Sequence, residues 1–126
     1  MSSKIRVLIA DDHRLFAEAL EAILAAEQRI EVVGRADNGE QAVERALALK
    51  PDVILMDIAM PVMDGVEATK EIRSKSRTAT VVILTGSNSR EDVARSREAG
   101  AAAYVTKDRI ASQLIETILA VAPGPK

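Results

Sequence analysis

The sequence predicts an α/β fold in which five parallel β-strands alternate with five α-helices. Five short runs rich in β-branched residues punctuate the 126-residue chain, and the middle runs are continuously apolar. Continuous apolar runs are typical of strands that are buried on both faces, as in a parallel sheet. Between the runs, apolar residues recur at intervals of three and four, which is the spacing of amphipathic helices.

The strands are predicted in order from the apolar runs. They are expected at Ile5–Ala10, Ile30–Gly34, Val53–Met56, Thr80–Leu84 and Ala102–Val105.

Apolar stripes and capping residues mark the helices that follow these strands. The first stripe includes Phe16 and Leu20, and the fourth is short, with Val93 and Ala94. Gly100 is expected to end the fourth helix, because glycine is a common residue after a helix C-terminus. The predicted N-caps of the second to fifth helices are Asn38, Asp64, Ser89 and Asp108.

The alternation also predicts the topology of the sheet. It implies right-handed crossovers with helices on both faces. For five strands the doubly wound order is 2-1-3-4-5, so the predicted fold is a flavodoxin-like (βα)5 three-layer sandwich. One domain is expected over residues 4–122, and residues 123–126 are expected to begin a linker or tail. Such sheets bind ligands at the carboxyl ends of strands 1 and 3.

The composition excludes several classes of protein. The absence of Cys excludes disulfide scaffolds and thiolate metal sites. A net charge of −2, with one Tyr and one Phe, argues against a nucleic-acid-binding surface on this domain. No stretch approaches the roughly 20 apolar residues that span a bilayer, and the N-terminal apolar run is too short for a signal peptide. We therefore expect a cytoplasmic protein that does not associate with membranes.

Polar residues follow four of the predicted strands at their carboxyl ends. Strand 1 leads into Asp11 and Asp12, strand 3 into Asp57, strand 4 into Thr85, and strand 5 towards Lys107. Two like charges 4 Å apart repel by about 4 kcal/mol at an effective dielectric constant of about 20, so three carboxylates need a counter-charge. Mg²⁺, which prefers carboxylate and phosphate oxygens, is the natural candidate. A carboxylate, a metal, a lysine and a hydroxyl together are typical of phosphoryl transfer.

Each of these residues alone would more often be a helix cap, a turn residue or a surface charge. Their joint occurrence at four strand ends favours the functional interpretation.

At these residues the sequence resembles the response-regulator receiver domain of two-component signalling, from Lys4 to about Ala122. The segment 32–39 and the Asp-Asp-His opening are similar to the NarL/FixJ (LuxR-type) subfamily, whose members usually carry a C-terminal helix-turn-helix domain. The motifs that carry the resemblance are Asp11-Asp12-His13, Met56-Asp57-Ile58-Ala59-Met60-Pro61 with Asp64-Gly65, Leu84-Thr85-Gly86 and Tyr104-Val105-Thr106-Lys107.

The resemblance implies a role for each residue of the site. Asp57 is expected to accept a phosphoryl group from a sensor histidine kinase. Asp12 and Asp57 are expected to bind Mg²⁺ together with the carbonyl of Ala59, and Asp11 to act mainly through water. Lys107 is expected to pair with a phosphoryl oxygen.

The resemblance also implies a switch. Thr85 is expected to hydrogen-bond the phosphoryl group, Tyr104 to turn inward as Thr85 moves, and the face of helix 4, strand 5 and helix 5 to change. The backbone of Ile58, Ala59 and Gly86 is expected to contact the phosphoryl oxygens. The output is expected to be transcription, through a DNA-binding domain absent from this chain. Two surfaces are candidates for a homodimer interface: helices 1 and 5, or the face formed by helix 4, strand 5 and helix 5 (the switch face).

Three positions depart from the family's common pattern. Ala59 lacks the polar side chain that many relatives carry, and Ser87 lies two residues after Thr85. Both positions tune dephosphorylation in the family, so the lifetime of the phosphorylated state is open. Asp108 replaces the proline that often follows the site lysine, so the Lys107–Asp108 bond is expected to be trans. His13 is expected to begin helix 1 and face solvent rather than bind metal.

Three alternatives compete with a phosphorylated signalling domain. Hydrolases with an Asp nucleophile commonly need a second Asp two residues later, where this chain has Ala59. A flavin or nucleotide carrier would need a glycine-rich phosphate loop after strand 1, which is absent. The intact acidic set argues against a receiver that signals without phosphate. The chain is therefore not expected to be an enzyme beyond its own phosphorylation and slow dephosphorylation.

Overall fold

The computed structural model describes residues 4–86 and 89–123. Its strands and helices alternate in the order β1 (Ile5–Ala10), α1 (Arg14–Ala25), β2 (Ile30–Ala36), α2 (Gly39–Leu49), β3 (Val53–Asp57), α3 (Gly65–Lys75), β4 (Val81–Thr85), α4 (Arg90–Glu98), β5 (Ala103–Thr106) and α5 (Ile110–Val121). A short 3₁₀ helix, Lys107–Arg109, lies between β5 and α5.

All five strands are parallel, and their order in the sheet is β2-β1-β3-β4-β5. The predicted flavodoxin-like order is confirmed. Alternate residues of the central strands point to opposite faces, because the side-chain period of a strand is two. Val7 and Ile9 of β1 pack in one apolar cluster with α1 and α5, and Leu8 packs in a second cluster with α2 and α3. These two clusters make the molecule a three-layer sandwich.

Several strands extend beyond the apolar runs that predicted them. β3 includes Asp57 and β4 includes Thr85, so both polar residues form part of the strands. The ladder continues because Asp57 pairs with Leu84, and Thr85 pairs with Thr106. The main chain of these site residues is therefore fixed by the sheet.

Three of the four predicted N-caps are confirmed. The side chains of Asn38, Asp64 and Ser89 accept hydrogen bonds from main-chain N–H groups at 2.9, 2.8 and 3.1 Å, respectively. Gly100 follows α4 with φ +100°, a conformation that glycine adopts without steric cost.

The predicted cap at Asp108 is wrong. The chain first turns through the 3₁₀ helix, and the N-cap of α5 is Arg109, whose side chain makes no capping hydrogen bond. The predicted stripe of α4 is only partly correct, since Val93 is half-buried and Ala94 is exposed. The buried residue of this helix is Ser96.

None of the described helices is both long enough and apolar enough to cross a bilayer. The expected linker at residues 123–126 lies outside the described residues except for Pro123.

Candidate phosphoryl-transfer site

The site is built where neighbouring parallel strands end at the same edge of the sheet. β1 and β3 are paired up to Ala10 and Met56, so the residues that follow, Asp11 and Asp57, lie side by side. Both carboxylates are buried, whereas Asp12 is exposed. The predicted convergence of the three acidic residues is confirmed, since each offers an oxygen within 4.8 Å of the others.

Lys107 enters this cluster from the far end of the sheet. Its Nζ lies 3.4 Å from Oδ1 of Asp57 and 3.5 Å from Oδ2 of Asp11. The replacement of proline by Asp108 put this placement in question. The Lys107–Asp108 peptide bond is trans, as expected, and the lysine nevertheless reaches the carboxylates.

The environment of Asp57 disfavours its charged form. Burial raises the pKa of this carboxyl above its ordinary value, and the negative charges of Asp11 and Asp12 add to the rise. Lys107 lowers the pKa through its positive charge and a hydrogen bond, without cancelling these effects. Oδ2 of Asp57 is buried and has no hydrogen-bond partner among the described residues. Asp57 therefore presents one oxygen that a positive or hydrogen-bonding ligand would satisfy.

His13 lies over the acidic cluster at the start of α1. Its main-chain N–H donates to Oδ1 of Asp11 at 2.8 Å, and its ring Nδ1 is 3.2 Å from oxygens of both Asp11 and Asp12. The ring is 64% exposed, which agrees with the expectation that it faces solvent. The ring nitrogen nevertheless lies within the same group of possible metal-ligand atoms as the three aspartates, and is 3.8 Å from Oδ2 of Asp57.

The main chain after Asp57 is held by close contacts. The N–H of Ile58 donates to the carbonyl of Leu84 at 3.0 Å, and the N–H of Gly65 donates to the carbonyl of Ile58 at 2.9 Å. A Cβ at position 65 would lie 2.2 Å from the carbonyl oxygen of Asp57, which is too close for any side chain. Only glycine allows α3 to begin so near the end of β3. Since the Ile58 N–H already has a partner, Ala59 and Gly86 are the better candidates for backbone contacts to a ligand.

Of the two predicted switch residues, Thr85 lies next to Leu84, the strand partner of Asp57, whereas Tyr104 lies on β5. Thr85 is buried at the end of β4. The exposed Gly86 follows it, and no atom of the described residues lies within 4 Å of where its Cβ would be. Tyr104 pairs with Ile83 in the sheet and packs, half-buried, against the second apolar cluster. Ser87 lies outside the described residues.

The donor set fits a hard divalent cation. Carboxylate oxygens from three aspartates converge, and one buried oxygen of Asp57 has no hydrogen-bond partner in the described part of the chain. Such oxygens are the ligands that Mg²⁺ prefers in proteins.

Comparison with known proteins agrees with this geometry. The family model for the response regulator receiver domain matches residues 7–119. The chain belongs to this family. The receiver domain is 41% identical over 122 residues to the transcriptional regulatory protein DegU of Brevibacillus brevis, covering 97% of this chain and 52% of that protein. It is 36% identical over 118 residues to the nitrate/nitrite response regulator NarL of Escherichia coli, covering 94% and 55%.

A solved structure shows the same architecture. The receiver domain of the NarL response regulator from Mycobacterium tuberculosis superimposes with a TM-score of 0.90 at 33% identity, covering 94% of this chain and 95% of that one. The resemblance to NarL/LuxR-type regulators is thus confirmed. The chain spans about half the length of the curated relatives that it matches.

Two side-chain contacts of the receiver domain have no clear signal in its sequence. Phe16 belongs to the apolar stripe of α1, but its ring also faces the ammonium of Lys107, which lies 4.3 Å from the ring centroid. Arg95 of α4 forms an ion pair of 3.2 Å with Asp64, the N-cap of α3. Both contacts join residues that are distant in sequence, so local patterns do not indicate them.

Proposed function

We propose that Asp57 is the phosphoacceptor of this receiver domain and that a sensor histidine kinase is the donor. The observation that carries the proposal is the pairing of a buried carboxylate with Lys107 at 3.4 Å, beside two further aspartates. An oxygen of Asp57 attacks the phosphorus of the kinase's phosphohistidine and forms the O–P bond. The P–N bond breaks, and the departing imidazole nitrogen keeps the electron pair and takes a proton from solvent.

Residues around Asp57 would hold the added phosphoryl group. Lys107 would pair with one of its oxygens, and the hydroxyl of Thr85 would donate to another. The N–H groups of Ala59 and Gly86 would supply further donors, with space left by the missing side chain of Gly86.

Mg²⁺ would be held by Asp12, Asp57 and the carbonyl of Ala59, with Asp11 acting through water. When bound, the ion neutralises charge between the carboxylates and the phosphoryl oxygens. Asp11 is the buried member of the aspartate pair, and Lys107 partly balances its charge at 3.5 Å.

The phosphoryl group would shift the domain between two states. Because phosphorylation adds charge and strong acceptor oxygens, it favours the conformer in which Thr85 moves towards Asp57. Tyr104 would follow, and the surface of α4, β5 and α5 would change. α4 is suited to this because Ser96 is its one buried residue.

The output proposed for the switch is control of transcription. DegU is named as a transcriptional regulator, and the chain matches about half of that protein. We assign the receiver domain to residues 4–122 and propose that DNA binding belongs to a helix-turn-helix domain beyond the linker that begins at residue 123. Phosphorylation would then act on this output by changing the partner or homodimer contacts of the switch face.

The test is incubation with a small phosphodonor and Mg²⁺, followed by intact mass measurement and peptide mapping. One added phosphoryl group on Asp57, lost in Asp57→Asn, is the expected result. Equal labelling of the Asn variant, or no acyl phosphate in the wild type, would overturn the proposal.

A further inference from the structure

We infer that Phe16 is a positioning residue for Lys107: its aromatic ring holds the ammonium in place between Asp57 and Asp11. The inference rests on the proposed function for its consequence, but the contact itself stands on the geometry. The Nζ atom of Lys107 lies 4.3 Å from the centroid of the Phe16 ring, well within the range of a cation–π interaction.

The two carboxylates alone hold the ammonium only loosely. Its distances to Asp57 and Asp11 are 3.4 and 3.5 Å, whereas a strong charge-assisted hydrogen bond measures about 2.7–2.9 Å. An ammonium at such distances has freedom to shift between its two partners. The Phe16 ring bounds this freedom on a third side, because the negative face of an aromatic ring attracts a cation.

The degree of burial makes this attraction worth more than it is on an open surface. The side chain of Lys107 is 23% exposed, and those of Asp11 and Asp57 are 0% and 3% exposed. A cation–π contact is stronger when its partners are desolvated than when they are exposed.

Phe16 is itself fixed in place by the core. It lies in the first turn of α1, half-buried, and packs against the apolar cluster that contains Ala17 and Leu20. One side of the residue is therefore anchored while its ring meets the lysine. The chain immediately after Lys107 offers less support, because the 3₁₀ helix there has no side-chain cap and contains no buried residue.

The composition of the chain allows a sharp test. Phe16 is the only phenylalanine in the sequence, so growth on 3,4,5-trifluorophenylalanine changes this one ring. Fluorination withdraws the negative charge from the ring face while nearly preserving its shape. Phe16→Leu removes the ring and keeps an apolar side chain, and Phe16→Tyr keeps the aromatic face.

The first measurement is the NMR spectrum of ¹³C-lysine-labelled protein, with the Lys107 signal assigned through Lys107→Met. The ε-methylene protons of Lys107 should be shifted upfield by the ring, and this shift should persist in Phe16→Tyr and disappear in Phe16→Leu. An unshifted Lys107 signal in the wild-type protein would overturn the inference, whether or not the Leu variant folds.

The second measurement is the rate of phosphorylation by acetyl phosphate in the presence of Mg²⁺. Fluorinated protein and Phe16→Leu should react about two- to five-fold more slowly, whereas Phe16→Tyr should react like the wild type. In a Lys107→Met background, fluorination should have no further effect. If fluorination slows both backgrounds equally, or slows neither, Phe16 does not act through Lys107.

The two measurements separate the inference from the proposed function. If the wild-type protein takes no phosphoryl group, the proposed phosphorylation of Asp57 fails, and the NMR shift still decides where Lys107 lies.

Discussion

Lys107 and Asp57 meet at 3.4 Å although they come from the two ends of the half-sheet β3-β4-β5. The carboxylate is buried, and its second oxygen has no hydrogen-bond partner among the described residues. The lysine therefore balances only part of a charge that burial and two neighbouring aspartates disfavour. The charged carboxylate of Asp57 is therefore unfavourable in the free domain, and a bound cation or phosphoryl group would remove that cost.

Asp57→Asn should stabilise the metal-free domain at neutral pH. The folded-state pKa of Asp57 is raised above the ordinary value of about 3.9, so the folded protein holds its proton more strongly than the unfolded chain. The wild type therefore loses stability as the pH rises from about 4 through the raised pKa, and Asn avoids this loss. We therefore expect Asp57→Asn to have the larger free energy of unfolding in urea at pH 7.

The same measurement at low pH supplies the control. Well below pH 4 the stability difference between the two proteins should disappear, because Asp57 is then protonated in both the folded and the unfolded state. The exposed Asp12, changed to Asn, should give a smaller gain. A wild type that is more stable than Asp57→Asn at pH 7 would contradict the electrostatic account.

Mg²⁺ should raise the melting temperature of the domain, since a ligand of the folded state alone stabilises it. At ten times the dissociation constant the gain is about 1.4 kcal/mol. Differential scanning calorimetry with and without Mg²⁺ should show the rise in the wild type and in Glu67→Gln, which removes an exposed carboxylate in the first turn of α3. Asp12→Ala and Asp57→Asn should lose it, and an unchanged rise in both would refute the metal assignment.

Gly65→Ala should destabilise the domain and slow its phosphorylation. The added Cβ would lie 2.2 Å from the Asp57 carbonyl oxygen, so either α3 or the end of β3 must move. Overpacking of this kind costs about 1–3 kcal/mol, and here it displaces the proposed acceptor. For stability, Gly86→Ala is the matched control, since no atom of the described residues lies within 4 Å of its Cβ position. Urea unfolding should give a lower free energy of unfolding for Gly65→Ala than for Gly86→Ala. Equal stability of the two variants would show that the Asp57 segment moves without a loss of stability.

Local sequence patterns specify the sheet and the aspartates at its edge, but not every turn between the elements. The sheet order followed from apolar runs alternating with helical stripes, and Asp11, Asp12 and Asp57 converge because parallel strands end at one edge. The predicted cap at Asp108 failed because the chain turns through a 3₁₀ helix before α5 begins.

Contacts between distant residues account for the features that the sequence did not indicate. Phe16 fits the apolar stripe of α1 whether or not Lys107 lies over its ring. Gly65 likewise carries no local sign that the carbonyl of Asp57 approaches it. Such features depend on how the loops pack at the sheet edge, which the residue pattern of each segment does not encode.

Tyr104 should report the switch through its own fluorescence. The chain contains one Tyr and no Trp, so the emission comes from this residue alone. Beryllofluoride with Mg²⁺, which mimics the phosphoryl group, should change the intensity and the accessibility to acrylamide of Tyr104 as it moves inward. In Thr85→Ala the mimic should change the Tyr104 fluorescence much less, because this variant lacks the hydroxyl that is proposed to couple the two. An equal fluorescence change in the wild type and in Thr85→Ala would show that Tyr104 does not respond to the site through Thr85.

Val62→Asn should stabilise the domain by about 1 kcal/mol. Val62 lies in the loop after β3 with φ +71°, where a β-branched side chain is strained by roughly 1–3 kcal/mol, whereas Asn tolerates this region better. Its side chain is 76% exposed, so its removal costs little burial. Leu15→Asn is the control, because Leu15 is similarly exposed at 81% but lies in α1, where Asn is the poorer helix former. Thermal unfolding should show a gain for Val62→Asn and a small loss for Leu15→Asn. A gain in both would assign the effect to lost surface hydrophobicity, and no gain at Val62 would show that the backbone there is unstrained.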